Sequence, residues 1–254
     1  MTLQALIWDV DGTLAETEEA HRHAFNRTFR EHGYDWNWSI DKYRELLRVT
    51  GGLERITHFL RTDRPAALPE ATFVETVKGL HKAKTANYVK ALEGGEILLR
   101  TGVARILREA RAAGMTLAIA TTTSAPNVAA LINHCREGVG MDWFKAIGAG
   151  NIVPKKKPAP DIYTWTLDKL GLDPNQCLAL EDSRNGLESA LGAGIPTVVT
   201  YSSYTDYQTF GEAIAVADCF GEPGAPVRAV AGDFRGKPYI DLDLLRHWHA
   251  WATA

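Results

Sequence analysis

Asp9-Val10-Asp11-Gly12-Thr13 follows directly on an apolar run over residues 3–8, so two carboxylates leave the end of one predicted strand two residues apart. Side chains at i and i+2 of a strand project the same way, which would bring both acids to one spot at the carboxyl edge of a sheet, where open α/β folds place their chemistry. Two converging acids call for a cation. An isolated Asp-x-Asp is more often an acidic turn that ends a strand, and three later segments decide against that reading. Thr121-Thr122-Thr123-Ser124 follows the apolar residues 117–120 and precedes a predicted helix with Pro126 in its first turn. That sets hydroxyls beside free helix N–H groups, an anion-binding arrangement. Lys157, pinned by Pro158 just ahead of another helix, can serve as a fixed positive charge; its plainer reading is a solvated lysine beside Lys155 and Lys156. Glu181-Asp182-Ser183 closes the apolar residues 177–180 and repeats the strand-then-acids arrangement. Hard carboxylate oxygens suit Mg²⁺, whereas the plainer reading of this second pair is an acidic helix cap.

Elements must carry these groups to one place. The alternation of strand and helix breaks after Leu14, and residues 16–94 show only helical signals until Val103, Ile106, Leu107 and Ala110 restart the pattern. An insertion fits this best. The expected division is an α/β core of residues 1–15 and 95–254 with a helical cap of residues 16–94. Ala20, Ala24, Phe25 and Phe29 share one helical face, and Val74, Val77, Leu80, Lys84, Tyr88 and Ala91 fall near another, so the cap helices can pack together. Trp36 and Trp38 are expected to pack them. Entered just after Asp11, the bundle should lie over the acids as a lid, with Gly94-Gly95 either a hinge or an ordinary helix stop. Beyond it, apolar runs at 117–120, 146–147, 177–180 and 197–199 alternate with helices near 103–113, 126–135, 161–170 and 185–193. This predicts a doubly wound parallel sheet covered on both faces. Residues 221–226 read as a surface loop before a terminal extension of no legible role.

Composition narrows the partners. A net charge of −3 and the lack of a long Lys/Arg run argue against nucleic acid or anionic membrane, both of which need a basic face. A phosphorylated metabolite needs only local positive charge. Cys135, Cys177 and Cys219 are odd in number and far apart, which fits reduced thiols rather than a disulfide framework or a zinc site. With no basic segment leading into a long apolar stretch, and no run near about 18 apolar residues, a cytoplasmic protein is expected.

The spellings DVDGT, ATTTS, KKPAPD and ALEDS, in this order, resemble the four motifs of the haloacid dehalogenase superfamily over nearly the whole chain. Residues 9–18, the Thr50-Gly51-Gly52 turn and Lys82-Ala83-Lys84-Thr85 are most similar to its CbbY-like branch, near β-phosphoglucomutase and phosphoglycolate phosphatase. The resemblance implies a Rossmann-like core with a cap and a Mg²⁺-dependent sugar-phosphate phosphatase. It implies Asp9 as nucleophile forming an aspartyl phosphate, Asp11 as general acid and base, Thr121 on the phosphoryl group and Lys157 stabilising charge. Mg²⁺ would be held by Asp9, Asp182 and the backbone carbonyl of Asp11, with Glu181 on or beside the ion. For substrate it points to Thr122, Thr123, Glu16, Arg55 and Lys84. Glu16, with Thr17 and His21, opens the first cap helix and could accept sugar hydroxyls or merely cap and pack. Lys84 shares a face with Val77, Leu80 and Tyr88, so its charge needs either a cleft phosphate or a snorkelling path out. Arg55 could grip a second phosphate bidentately or be an exposed helix arginine. The branch further implies a monomeric xylulose 1,5-bisphosphate phosphatase serving carbon fixation in the Calvin cycle, although relatives usually carry Lys where this chain has Leu53. Two other activities keep the same core, β-phosphoglucomutase and phosphoglycolate phosphatase, and the cap loop lacks the Ser-Arg pair of the mutase. A phosphometabolite sensor without catalysis is the reading outside enzymes.

Overall fold

The computed structural model describes residues 2–94 and 97–254, so Gly95 of the Gly94-Gly95 pair, and the boundary drawn there, lie outside the described residues. Seven strands form one sheet: β1 (Ala5–Trp8), β2 (Thr116–Ala120), β3 (Phe144–Gly148), β4 (Cys177–Glu181), β5 (Thr197–Thr200), β6 (Ala215–Ala217) and β7 (Ala229–Ala231). Their order is β3-β2-β1-β4-β5-β6-β7, and every neighbouring pair is parallel except β6 and β7. The fold is therefore doubly wound α/β, with one antiparallel edge strand that the apolar runs did not foretell. β1 lies between β2 and β4, where the connections reverse direction, and such a switch point opens a crevice at the strands' carboxyl ends.

β1 and β4 are wholly buried, and the reason is double coverage. Leu6 and Trp8 pack on the side of α5 (Val103–Ala112) and α6 (Ala125–His134). Ala5 and Ile7 face α7 (Asp161–Leu170) on the opposite side. α8 (Arg184–Gly192) covers β5 through Leu187 on Val199. Residues 218–241 form a loop, the short β7 and the approach to a last helix, α9 (Leu242–Ala252), whose Trp248 joins the core beside α5.

Between β1 and α5 the described chain forms four helices, which we number apart from the core as αa (Glu18–Glu31), αb (Ile40–Leu46), αc (Gly52–Thr62) and αd (Glu70–Glu93). They share an aromatic cluster of Phe25, Phe29, Trp36, Trp38, Tyr43 and Phe59, in which Phe29 meets Trp38 edge-on at 5.0 Å. Val77, Leu80, Lys84 and Tyr88 of αd are buried as the helical pattern predicts, but Val74 is 60% exposed and Ala91 is exposed as well. The buried stripe starts instead at Phe73, four residues before Val77, and Val74 lies about 100° around the helix from it. No helix among the described residues is long and apolar enough to cross a membrane.

Candidate active site

Asp9 sits one residue beyond β1, its N–H donating to the Leu180 carbonyl at 3.0 Å, so the backbone locks it beside the end of β4. Glu181 ends β4 and Asp182 follows. Carboxylate oxygens of Asp9, Glu181 and Asp182 all lie within 4.8 Å of one another, and the three residues are buried. Lys157, 4% exposed, donates to Asp9 Oδ1 at 2.7 Å, Glu181 Oε1 at 2.6 Å and the Ala120 carbonyl at 2.8 Å. The Tyr163 hydroxyl donates to the same Glu181 oxygen at 2.6 Å. Two glycines make room. A Cβ on Gly12, whose φ is +84°, would stand 2.2 Å from Asp182 Oδ2, and one on Gly186 would stand 1.9 Å from Glu181 Oε2.

Burial pushes Asp9 up to about 7 against the pull of Lys157. Burial and then the charges of Asp9 and Glu181 hold Asp182 well above the usual carboxylate range. Lys157, despite burial, is held above the ordinary lysine range by Asp9 and Glu181. Three crowded hard oxygens with a single ammonium among them are the donor set that a hard divalent cation satisfies. The three side chains expected to hold or flank the metal, those of Asp9, Asp182 and Glu181, therefore come together.

Asp11 turns away from these acids, and the expected convergence at i and i+2 fails. Residues 9–11 have already left the strand, and Gly12, Leu14 and Ala15 fold back in a tight turn in which Leu14 N donates to the Val10 carbonyl at 2.9 Å. The Asp11 carboxylate instead accepts from Thr17 Oγ1 at 2.5 Å and meets His21 Nε2 at 3.1 Å. On the far side of that ring, Lys84 Nζ lies 2.7 Å from His21 Nδ1. An ammonium has no lone pair, so Nδ1 must accept, which places the ring proton on Nε2, donating to Asp11. Burial would raise Asp11, but His21, Thr17 and Lys84 together hold it below the ordinary range. Burial lowers His21 to about 4, reinforced by Lys84, and lowers Lys84 to about 7.

These groups line a cavity of about 570 Å³ between the sheet edge and the four helices. Thr121, Thr122 and Thr123 lie at its floor, with the Thr121 hydroxyl accepting from the Thr123 N–H at 3.2 Å and Thr123 Oγ1 accepting from Asn127 at 3.0 Å. Ser124 Oγ and Asn127 Oδ1, at the start of α6, are buried with no protein partner among the described residues, leaving hydrogen-bonding capacity facing a ligand. On the helical side, Arg55 is buried rather than an exposed helix arginine: Nη1 donates to the Tyr43 hydroxyl at 3.0 Å and Nε to the Leu46 carbonyl at 3.2 Å. The Tyr43 hydroxyl in turn donates to Glu18 at 2.8 Å. Lys84 is buried against His21 and lies over the rings of Phe25 and Tyr88, so it does not snorkel out.

Glu16 is the residue that the geometry displaces. It is exposed outside the cavity, accepting from Ser203 Oγ at 3.0 Å and lying 3.7 Å from Arg100 Nε. The cavity acid of this stretch is Glu18. Glu16 precedes αa, whereas Glu18, His21 and Phe25 follow each other at three- and four-residue spacing along the face turned to the site. Sequence reasoning also missed Tyr163, Thr205 and Arg100. Arg100 donates to the carbonyls of Gly12, Thr200, Tyr201 and Asp218, clasping the loop after β1 to the ends of β5 and β6. An arginine whose main partners are backbone carbonyls leaves no sequence signal.

A sheet switch point carrying this acid and lysine cluster, with hydroxyls at a helix start, is the site of one large enzyme class. The chain belongs to the haloacid dehalogenase-like hydrolases, whose family model matches residues 6–200, and it is an enzyme of phosphatase type. It is 47% identical over 224 residues to protein CbbY of Cereibacter sphaeroides, covering 87% of this chain and 94% of the relative. A mutant CbbY from Rhodobacter sphaeroides, solved in complex with xylulose-(1,5)bisphosphate, superposes with a TM-score of 0.81 at 47% identity, over 87% of this chain and 96% of that one. The β-phosphoglucomutase of Clostridium difficile, at 17% identity, TM-score 0.74 and 98% coverage of both chains, shares the fold.

Proposed function

We propose that this protein is a Mg²⁺-dependent phosphatase of sugar bisphosphates, with xylulose 1,5-bisphosphate as substrate. One observation carries the reading: Asp9, just past the end of β1, lies among Lys157, Glu181 and Asp182 at a cavity of about 570 Å³ that it helps to line. The similarity to a CbbY that binds this bisphosphate supports the choice of sugar. Asp9, Asp182 and Glu181 would hold Mg²⁺, which would offset the charge of an approaching phosphate dianion.

In the first half-reaction an Asp9 oxygen attacks phosphorus, the bond from phosphorus to the sugar oxygen breaks, and the leaving oxygen takes a proton from Asp11. Asp11 must first acquire that proton, and the chain behind it supplies a balanced route. His21 Nε2–H passes to Asp11 as Lys84 Nζ–H passes to His21 Nδ1, leaving a neutral lysine, a neutral imidazole of the other tautomer and a neutral carboxyl group. The downward shift of Lys84 to about 7 lets it give up a proton near neutrality, and because Asp11 is held below its ordinary range the transfer runs uphill and completes only as the leaving oxygen takes the proton. In the second half-reaction water attacks the aspartyl phosphate and gives its proton to Asp11. Lys157 holds Asp9 in place for both, and Thr121, Thr122 and Ser124 receive the phosphoryl oxygens.

The helices of residues 16–94 would act as the cap that excludes water. Lys84 reads better as a proton source than as a grip for the second phosphate, and Arg55 as the support of Tyr43 and Glu18. The distal phosphate would meet Arg48 and Lys156, which line the same cavity. Phosphate release measured over sugar mono- and bisphosphates with Mg²⁺ tests the reading. Xylulose 1,5-bisphosphate should lead by at least about tenfold in kcat/KM, since a second charge-assisted contact is worth about 1.5–3 kcal/mol. Equal turnover of xylulose 5-phosphate would remove the bisphosphate assignment.

A further inference from the structure

The segment just after β5 joins the acid cluster to the helical layer. Thr205, buried, lies with Oγ1 3.3 Å from Asp182 Oδ2. The same oxygen accepts the Ser202 N–H at 2.8 Å, which leaves its single proton for the carboxylate. The Ser202 hydroxyl lies 3.1 Å from Thr205 Oγ1 and accepts from Tyr204 N–H at 3.3 Å, so residues 202–205 form one closed turn.

Tyr204, the next residue back, points the other way. Its ring is buried in the aromatic cluster of the four helices, edge-on to Tyr43 at 5.6 Å, and its hydroxyl donates to Glu19 of αa. The neighbouring Ser203 carbonyl accepts from Arg44 of αb at 2.6 Å. A core loop thus places one side chain on an acid of the site and the adjacent one inside the hydrophobic cluster of the opposite layer. The Thr205 N–H also donates to the Ser202 carbonyl at 3.1 Å, and a turn closed by these internal hydrogen bonds ties the two side chains together.

We propose that the Ser202–Thr205 turn is a clasp that couples seating of the helical layer to the position of Asp182, with Thr205 the positioning residue and Tyr204 its sensor. The proposal rests on the reading of Asp182 as a metal-holding acid and of the helices as a cap. Seating Tyr204 orients the Asp182 oxygen, so closure strengthens cation binding, and by thermodynamic reciprocity cation binding favours closure by the same factor.

Calorimetric titration of the full-length enzyme with Mg²⁺ alone, without substrate, tests this. Thr205→Val should weaken Mg²⁺ about fivefold to fiftyfold, as loss of a hydrogen bond to a carboxylate would, and Thr205→Ser should restore it to within about twofold. Tyr204→Ala, at a residue that touches none of Asp9, Glu181 and Asp182, should still weaken Mg²⁺ at least about threefold, and Thr205→Val with Tyr204→Ala should cost less than the product of the two factors. Mg²⁺ should also slow amide exchange across residues 40–62 in the wild type and not in Thr205→Val. Wild-type Mg²⁺ affinity in Tyr204→Ala, or strictly multiplicative losses in the double variant, would overturn the clasp. Near-UV circular dichroism checks that Tyr204→Ala folds. If it does not, Tyr204→Phe, which keeps the ring and loses the Glu19 bond, must show weaker Mg²⁺ binding for the proposal to stand. Asp182→Asn separates the two failures: if it binds Mg²⁺ like the wild type, the metal site is wrong, whereas loss there with no effect at Tyr204 condemns the clasp alone.

Discussion

Replacing Lys84 by methionine separates a proton source from a phosphate grip. The side chain keeps about the same length and apolar stem but loses the ammonium that lies 2.7 Å from His21 Nδ1. Asp11 survives the change, but the proton that water returns to it, weakly held by a carboxyl group below its ordinary range, no longer has a lysine on which to be kept between turnovers, and one charge-assisted hydrogen bond is lost. Such a bond is worth about 1.5–3 kcal/mol, and general acid catalysis as a whole contributes about a hundredfold to ten-thousandfold. The expected loss in kcat on a sugar phosphate is therefore about tenfold to a hundredfold. A nitrophenyl phosphate, whose leaving group needs no proton, should lose less than about threefold.

The pH profile supplies a second reading of the same variant. Lys84 is shifted from 10.5 down to about 7, chiefly by burial, so the wild-type rate on sugar phosphate should fall as pH rises through about 7 and the donor is lost. In Lys84→Met that limb should move to lower pH. His21 is then the proton store in direct contact with Asp11, and it is held near 4 by burial and partly by the Lys84 charge that the substitution removes. Steady-state phosphate release with both esters between pH 5.5 and 9 measures all of this. Equal losses on the two esters, or an unmoved limb, would refute the relay and return Lys84 to substrate binding.

Asp9→Asn should fold normally and lose at least about a thousandfold in turnover, because the amide keeps the shape but cannot attack phosphorus; substantial phosphate release from the purified variant would sink the nucleophile assignment. Mg²⁺ affinity should climb with pH through about 7, since Asp9 and Asp182 are pushed up by burial and the cation must displace their protons. Calorimetry in buffers of different ionisation enthalpy should detect that release, and a buffer-independent heat would contradict it. Gly12→Ala should weaken Mg²⁺ binding at least about tenfold, because the new methyl would stand 2.2 Å from Asp182 Oδ2 at a φ of +84°; unchanged affinity would show that the turn relaxes. Glu18→Gln should raise KM for the sugar substrate while Glu16→Gln leaves it alone, and the reverse pattern would restore Glu16 to the site.

The sheet and the acid cluster were legible because both are written locally. Continuous apolar runs at 117–120 and 177–180 mark strands buried on two faces, and the chemistry follows each run at once, so Asp9, Thr121, Glu181 and Asp182 fall at strand ends without further information. What failed required knowledge of where a turn points. Asp11 was placed by strand alternation, yet the chain had already left the strand at Asp9. Glu16 and Glu18 differ by two residues, and only the start of αa at Glu18 decides which one faces inward. β6 and β7 are three residues each, two of them Ala in both, too short and too weakly apolar to stand out from the loops around them. Thr205, Tyr204 and Arg100 act through long-range contacts with the helical layer and with backbone carbonyls, for which no local pattern exists.

The charges of the site explain why Lys157 alone does not make it a phosphate receptor. Its three N–H groups are taken by Asp9, Glu181 and the Ala120 carbonyl, so the ammonium stabilises the acids rather than an incoming anion. Like charges about 4 Å apart repel by about 4 kcal/mol at an effective dielectric constant of about 20. A phosphate dianion approaching Asp9 would meet that repulsion from three acids at once. The hydroxyls of the Thr121 to Ser124 segment and the N–H groups at the start of α6 recover about 1.5–3 kcal/mol per hydrogen bond to the anion, less than the summed repulsion of three acids. Protonating Asp9 would relieve the repulsion but destroy the nucleophile. A compact cation shared with Asp182 and Glu181 would preserve an ionised Asp9, and the burial that makes these acids costly would favour a hard divalent ion there.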